Sequence, residues 1–277
     1  MLVTASLLVC IPSGTAQQKT FVETSTMRSA LPDAPVPASG ASFSAKEDLP
    51  LDLQPHAPVT VGNTPKHTLT DLGHIAVFPK YIRTRDLEWL VPLTGATAAA
   101  FATDTHTMRD VVSRNPSFND TSGNVSDGLV GGMIALPVAA FGIGQIEHRE
   151  HLRETGILGG EAMVDAFVVD QALKLCTFRE RPSVDNARGQ FFIGKSGVDS
   201  SFASSHSVIA WSSAAVISGE YKSRWKQIAV YAAAGGVSAS RVMAQQHFPT
   251  DVLVGSATGW LIGHYVYRAH HHADVAQ

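Results

Sequence analysis

Between Ser240 and Asp251 the chain reads Ser240-Arg241-Val242-Met243-Ala244-Gln245-Gln246-His247-Phe248-Pro249-Thr250-Asp251, which sets a guanidinium, an imidazole and a carboxylate at fixed offsets. Proline is tolerated at the first position of a helix, where its missing N–H has no partner to lose. Pro249 therefore predicts a helix start with His247 just ahead of it and Asp251 in its first turn. From there the carboxylate can turn back toward the ring. An imidazole held in one tautomer keeps its other nitrogen free for attack, and a neighbouring arginine can hold an anion in front of it. The same residues also fit an ordinary helix start, with Asp251 answering the helix dipole and His247 in a loop. Partners elsewhere in the chain decide between the two.

Two upstream clusters offer such partners. In Lys174-Leu175-Cys176-Thr177-Phe178-Arg179-Glu180-Arg181-Pro182, Lys174 and Arg181 are seven positions apart, near two helical turns, so both can lean toward one face before Pro182 ends the helix. In Ser201-Phe202-Ala203-Ser204-Ser205-His206, Ser204 suits an N-cap. The free N–H groups after it form an anion seat beside a hydroxyl and an imidazole. Taken singly, the first cluster is a basic last turn and the second a capped helix with a surface histidine.

In this order, Lys-x6-Arg-Pro, Ser-Phe-x-Ser-x-His and Ser-Arg-x5-His-x3-Asp resemble the three signature motifs of the type 2 phosphatidic acid phosphatase and vanadium haloperoxidase superfamily. The resemblance implies that Lys174, Arg181 and Arg241 clamp phosphate oxygens, with Ser204 and the backbone N–H of Ser205 completing the cradle. It implies that His247 attacks phosphorus, that Asp251 orients and charges its ring, and that His206 protonates the leaving alcohol and then activates water. Three fixed cations can stabilise the equatorial oxygens of a transferring phosphoryl group without a metal, so no cofactor and no metal is expected there. One position departs from the family's usual Pro-Ser-Gly-His, since Ala203-Ser204-Ser205-His206 puts a serine where glycine is usual. A helix N-terminus needs only negative φ, so the Ser205 N–H is expected to remain available.

These residues need a scaffold. Apolar periodicity predicts an all-α bundle of about six or seven helices. The expected helices are Thr70 to Phe78, Arg85 to about Thr103, Asp127 to about Gln145, Thr155 to Phe178, Ser204 to about Ser218, Lys222 or Ser223 to Met243, and Pro249 to about Tyr267. Turn chemistry at Asn115-Pro116, Asn119-Asp120 and Ser122-Gly123 predicts a polar loop over 104–124, and another loop runs from Pro182 to about Phe202. Arg179 and Arg188 read as solvated charges at the rim, and Phe191, Phe192 and Ile193 as loop residues that either edge the site or cover a core. Asp104 and His106 suggest only a polar helix end. The tract His270-His271-His272 reads as a frayed tail, though one able to chelate a metal adventitiously.

Residues 1–16 carry an apolar run and a small-x-Ala site, as in a secretory signal without its basic start. Residues 17–70 hold seven of the chain's fourteen prolines and read as an extended Pro-rich N-terminal arm or linker, ahead of a helical domain over 71–270 and a polar tail over 271–277. A net charge of −3 gives no electrostatic reason to expect nucleic acid. Only 16% of residues are charged, yet mean hydropathy is +0.06 and aromatic belts are weak, which favours a soluble or peripherally attached domain over an integral one. The expectation is an exported periplasmic or cell-envelope phosphohydrolase acting on a phosphate ester, either soluble, a lipid phosphate or a polyprenyl diphosphate. A vanadate-dependent haloperoxidase and a phosphate- or phospholipid-binding protein without turnover are the alternatives.

Overall fold

Glycines four residues apart decide how closely the central helices meet. The computed structural model describes residues 59–77, 80, 82–193 and 199–271. The described residues form seven α-helices and no strand: α1 (Thr64–Val77), α2 (Leu87–His106), α3 (Pro116–Ile146), α4 (Glu150–Thr177), α5 (Ser205–Glu220), α6 (Arg224–Met243) and α7 (Pro249–His270). The signal segment, the arm as far as residue 58 and the tail from His272 lie outside the described residues.

Helix α5 is the axis of the bundle, touching α3, α4, α6 and α7. Its Val208, Ala210, Ala214, Ala215 and Val216 are buried almost completely. Gly255, Gly259 and Gly263 of α7 face it. A Cβ at Gly259 would lie 2.2 Å from the Val208 carbonyl oxygen, and one at Gly263 2.4 Å from that of Ser212, so the α7 backbone rests directly on α5. Gly259→Val is expected to lower stability by about 1–3 kcal/mol through overpacking. Gly235→Ala in α6, whose Cβ would meet open space, is expected to be neutral or slightly stabilising. Urea midpoints of the two variants check this contrast.

Two expected boundaries are corrected. The polar loop over 104–124 is mostly helical: α2 continues to His106, one π-helical turn covers Thr107–Val111, and α3 begins at Pro116. Asn115 is a cap rather than a turn residue, its Oδ1 accepting from the N–H of Ser117 at 3.0 Å. Ser122 and Ser126 are buried, so the small polar residues that read as a loop are a packing surface, with Gly123 facing Ala244. Helix α1 starts at Thr64, not Thr70. Pro65 is tolerated in its first turn, and α1 packs on α4, so residues 64–70 belong to the helical body.

Among the described residues α3 is the one helix long and apolar enough to cross a membrane by length and composition, and little of it is buried. Leu136, Val138, Ile143 and Ile146 on α3 and Val164, Phe167 and Val168 on α4 are exposed.

Candidate active site

All eight residues singled out by the motifs lie where α5 and α7 begin and α4 and α6 end. Helix α6 delivers Arg241 from its last turn, and a five-residue connection, residues 244–248, carries His247 to the start of α7. Pro249 occupies the first turn of α7, as the spacing predicts, and Asp251 follows it there. His247 is 2% exposed. Its Nδ1 lies 2.7 Å from the Ser201 carbonyl oxygen, which can only accept, so Nδ1 carries the proton and Nε2 keeps its lone pair. Asp251 does not bond the ring directly. Its Oδ2 is 3.8 Å from Nδ1 and accepts instead from the Ser201 hydroxyl at 2.5 Å and the Phe248 N–H at 2.8 Å. The carboxylate thus holds the loop that orients the imidazole. Burial pushes the His247 pKa down to about 4, although the charge of Asp251 opposes the shift.

Lys174 is also 2% exposed and donates to the Ser200 carbonyl at 2.9 Å. Arg181 donates to the Asp199 carbonyl at 3.2 Å and to Gln246 Oε1 at 2.7 Å. It reaches this place by a route different from the expected one. Helix α4 ends at Thr177 and Phe178 is left-handed, with φ 43° and ψ 44°, so Arg181 projects from the following loop and shares no helix face with Lys174. Burial first, and then mutual repulsion, depresses the pKa values of Lys174 and Arg241, Arg181 pressing on both. The Arg241 Nε is buried without a hydrogen-bond acceptor. Three clustered cations and a buried N–H without an acceptor have the chemistry that an anion satisfies.

Ser204 is the N-cap of α5, but its hydroxyl does not cap. It receives a bond from Ser207 instead, while its N–H donates to the Asp251 carbonyl at 3.2 Å, tying the start of α5 to α7. Ser205 opens α5 without a positive φ, so its backbone conformation is that of an ordinary first helical residue. Its hydroxyl donates to Asp170 Oδ2 at 2.5 Å, which turns the added side chain away to α4. His206 Nε2 lies 2.9 Å from Asp127 Oδ1, and Arg241 contacts the same oxygen at 3.4 Å. The His206 pKa is lowered by burial first and then by the charge of Arg241.

Two residues that sequence reading set aside prove central. Arg179 is no rim charge: it is 2% exposed, with NH1 2.5 Å from Asp251 Oδ1 and NH2 2.7 Å from Asp104 Oδ2. Its guanidinium carbon sits 4.1 Å from the Phe248 ring centroid and 4.8 Å from that of Phe191. Asp104 is likewise no loose helix end, since it also accepts from the N–H and hydroxyl of Thr250. Of the expected loop edge, Phe191 packs inward while Phe192 and Ile193 are exposed, and Arg188 pairs at the surface with Asp185. Asp127, the partner of His206 and Arg241, was visible in sequence only as a carboxylate heading an apolar stretch.

The model of the PAP2 superfamily matches residues 157–274, an interval that contains all three motifs. Residues 157–274 are a PAP2 superfamily domain. The PAP2 domain runs from the middle of α4 past the end of α7, and membership implies phosphatase-like phosphohydrolase chemistry on phosphate esters. Asp104 on α2, which pairs with Arg179, and Asp127 on α3, which contacts His206 and Arg241, precede the matched interval. No curated protein matches the chain. No solved structure matches it either.

Proposed function

We propose that the chain hydrolyses phosphate monoesters through a phosphohistidine on His247, without a metal at the phosphorus. The observation that carries this reading is the buried imidazole whose Nδ1–H is committed to the Ser201 carbonyl, with Lys174 and Arg241 close enough to bear on its charge. Lys174, Arg181 and Arg241, with the free N–H groups at the start of α5, hold the phosphoryl oxygens. Nε2 of His247 attacks phosphorus, and the P–O bond to the alcohol breaks. His206, steered by Asp127, gives its proton to the leaving oxygen, then takes one from the water that cleaves the P–N bond. Asp251 positions Ser201 and stabilises the imidazolium that forms.

A groove of about 880 Å³ supports an ester with a long apolar alcohol, such as a lipid phosphate or a polyprenyl diphosphate. Val242 and Met243 line it directly after Arg241, and Pro249 and Val252 line it two and five positions after His247. Trp211, Leu253 and Trp260 complete an almost wholly apolar wall. The apolar N-terminal segment and the exposed apolar faces of α3 and α4 support export to the cell envelope and contact with a bilayer. Phosphate release from an aryl phosphate and from a lipid phosphate in detergent tests the reading. Turnover of both, with the lipid ester preferred, is expected, and no turnover of either would overturn it.

The pH dependence follows from the two imidazoles. Attack needs neutral His247, so kcat/KM rises with pH through about 4. Leaving-group protonation needs charged His206, whose pKa is lowered from 6.5, so kcat/KM falls as pH rises through a value below that. A profile with its maximum on the acid side of neutrality is expected for the wild type, and loss of its alkaline limb for His206→Ala.

A further inference from the structure

Helix α5 begins at the phosphate site and ends at Glu220, roughly 22 Å away at 1.5 Å per residue. At that far end four side chains from three helices meet. His151 and Glu154 lie one turn apart on α4, Glu220 is the last residue of α5, and His271 caps α7. The Glu220 carboxylate is fully buried, and neither of its oxygens receives a hydrogen bond. Its Oε1 is 3.2 Å from His271 Nδ1, its Oε2 is 3.3 Å from His151 Nδ1, and Glu154 Oε1 is 3.3 Å from His271 Nδ1. Both Nδ1 atoms are, like the two Glu220 oxygens, buried without a hydrogen bond in the geometric sense. The Glu220 oxygens and the two Nδ1 atoms are therefore neighbours that do not point at one another.

That spacing has a simple meaning. Ligands bound at about 2.0–2.2 Å to one tetrahedral ion are separated by roughly 3.3–3.6 Å, the edge of the tetrahedron. Two carboxylates balance a divalent charge, and the His271 imidazole adds a third donor of the kind zinc takes, the donor atoms of Glu154, Glu220 and His271 lying within 4.8 Å of one another. Lys222, whose charge reaches Glu220, does not compensate it directly, since its ammonium donates to the Gly219 carbonyl at 2.8 Å. Aromatic rings hold both imidazoles in place, Tyr221 edge-on to His151 at 5.1 Å and Tyr267 stacked on His271 at 4.6 Å. The His270–His271 pair is thus folded into the bundle, contrary to its reading as a frayed tail: His270 ends α7, 2.9 Å from Asp71, and His271 caps the helix.

We propose that Glu154, Glu220 and His271 form a structural zinc site, with His151 beside it on the second Glu220 oxygen, that clamps the end of α5 and the end of α7 to the start of α4. The site is independent of the phosphate chemistry and does not rest on it. The test uses the full chain, stripped with chelator, dialysed, and titrated with Zn2+ alone while bound metal and melting temperature are measured. One tightly held equivalent is expected, with a raised melting temperature and, on substitution by Co2+, the visible absorption of a tetrahedral ion. Glu220→Gln, which keeps the shape of the side chain, is expected to lose that equivalent with at least about a hundredfold drop in affinity. Failure of the stripped wild type to take up tightly bound Zn2+ would overturn the proposal whatever the variants do. So would zinc that persists in Glu220→Gln, since that outcome assigns it to the His270–His272 tract or to the neighbouring cluster of His67, Glu161 and His270.

Discussion

Arg179→Met is expected to cost about 3–5 kcal/mol of folding stability, because it leaves two buried carboxylates without their shared cation. Asp104 is 2% exposed and Asp251 is not exposed at all, and the guanidinium bonds both, together with the Thr250 hydroxyl and the Gly189 carbonyl. Burial alone already raises the Asp104 pKa, with Arg179 and Thr250 opposing the rise. Without Arg179 each carboxylate must take up a proton or draw in water. A protonated or displaced Asp251 no longer holds Ser201, and Ser201 no longer fixes the His247 tautomer, so activity falls with stability. Arg179→Lys keeps the charge but not the fork, so an intermediate loss is expected. Chemical denaturation of both variants, with activity measured below each unfolding transition, checks the order. Arg179→Met combined with Asp104→Asn should cost less than the sum of the single changes, since the second removes a charge that the first strands.

His247→Ala is expected to lower phosphate release by at least about a thousandfold while leaving the bundle folded, because the nucleophile is lost and the cation cradle is not. The retained cradle should still bind inorganic phosphate or vanadate. Loss of turnover with retained anion binding distinguishes a missing nucleophile from a collapsed site. Arg241→Ala should do the converse, weakening anion binding because its unpartnered Nε and its charge both face that demand.

Much of the site was legible because its residues carry short-range signals. Pro249 marks a helix start wherever the bundle places it, and a serine before an apolar helical run marks another, so His247 and Ser204 could be set at helix N-termini from spacing alone. Arg179 could not. Phe178 turns left-handed and ends the helical phase, so Arg179 and Arg181, two positions apart in one cluster, go to different places, one buried between Asp104 and Asp251 and one beside Lys174 and Arg241. Lys174 and Arg181 share no helix face, and Arg181 comes to bear on Lys174 from the loop after α4. Asp104 and Asp127 act only through partners more than seventy positions away, and nothing local distinguishes them from helix-end carboxylates. Helix α3 was misjudged over its first three turns because Asn, Ser and Gly signal turns in isolation, whereas here they pack against α6.

The central claim is that His247 forms a covalent bond to phosphorus. Rapid acid-free quenching of the wild type with a substrate labelled in its phosphoryl group, followed by peptide mapping, addresses it most directly. The expected result is an acid-labile, base-stable label on the peptide containing His247, enriched in His206→Ala, where hydrolysis of the adduct is slowed, and missing from His247→Ala. Steady release of labelled phosphate with no protein-bound label, or label retained in His247→Ala, would contradict the account.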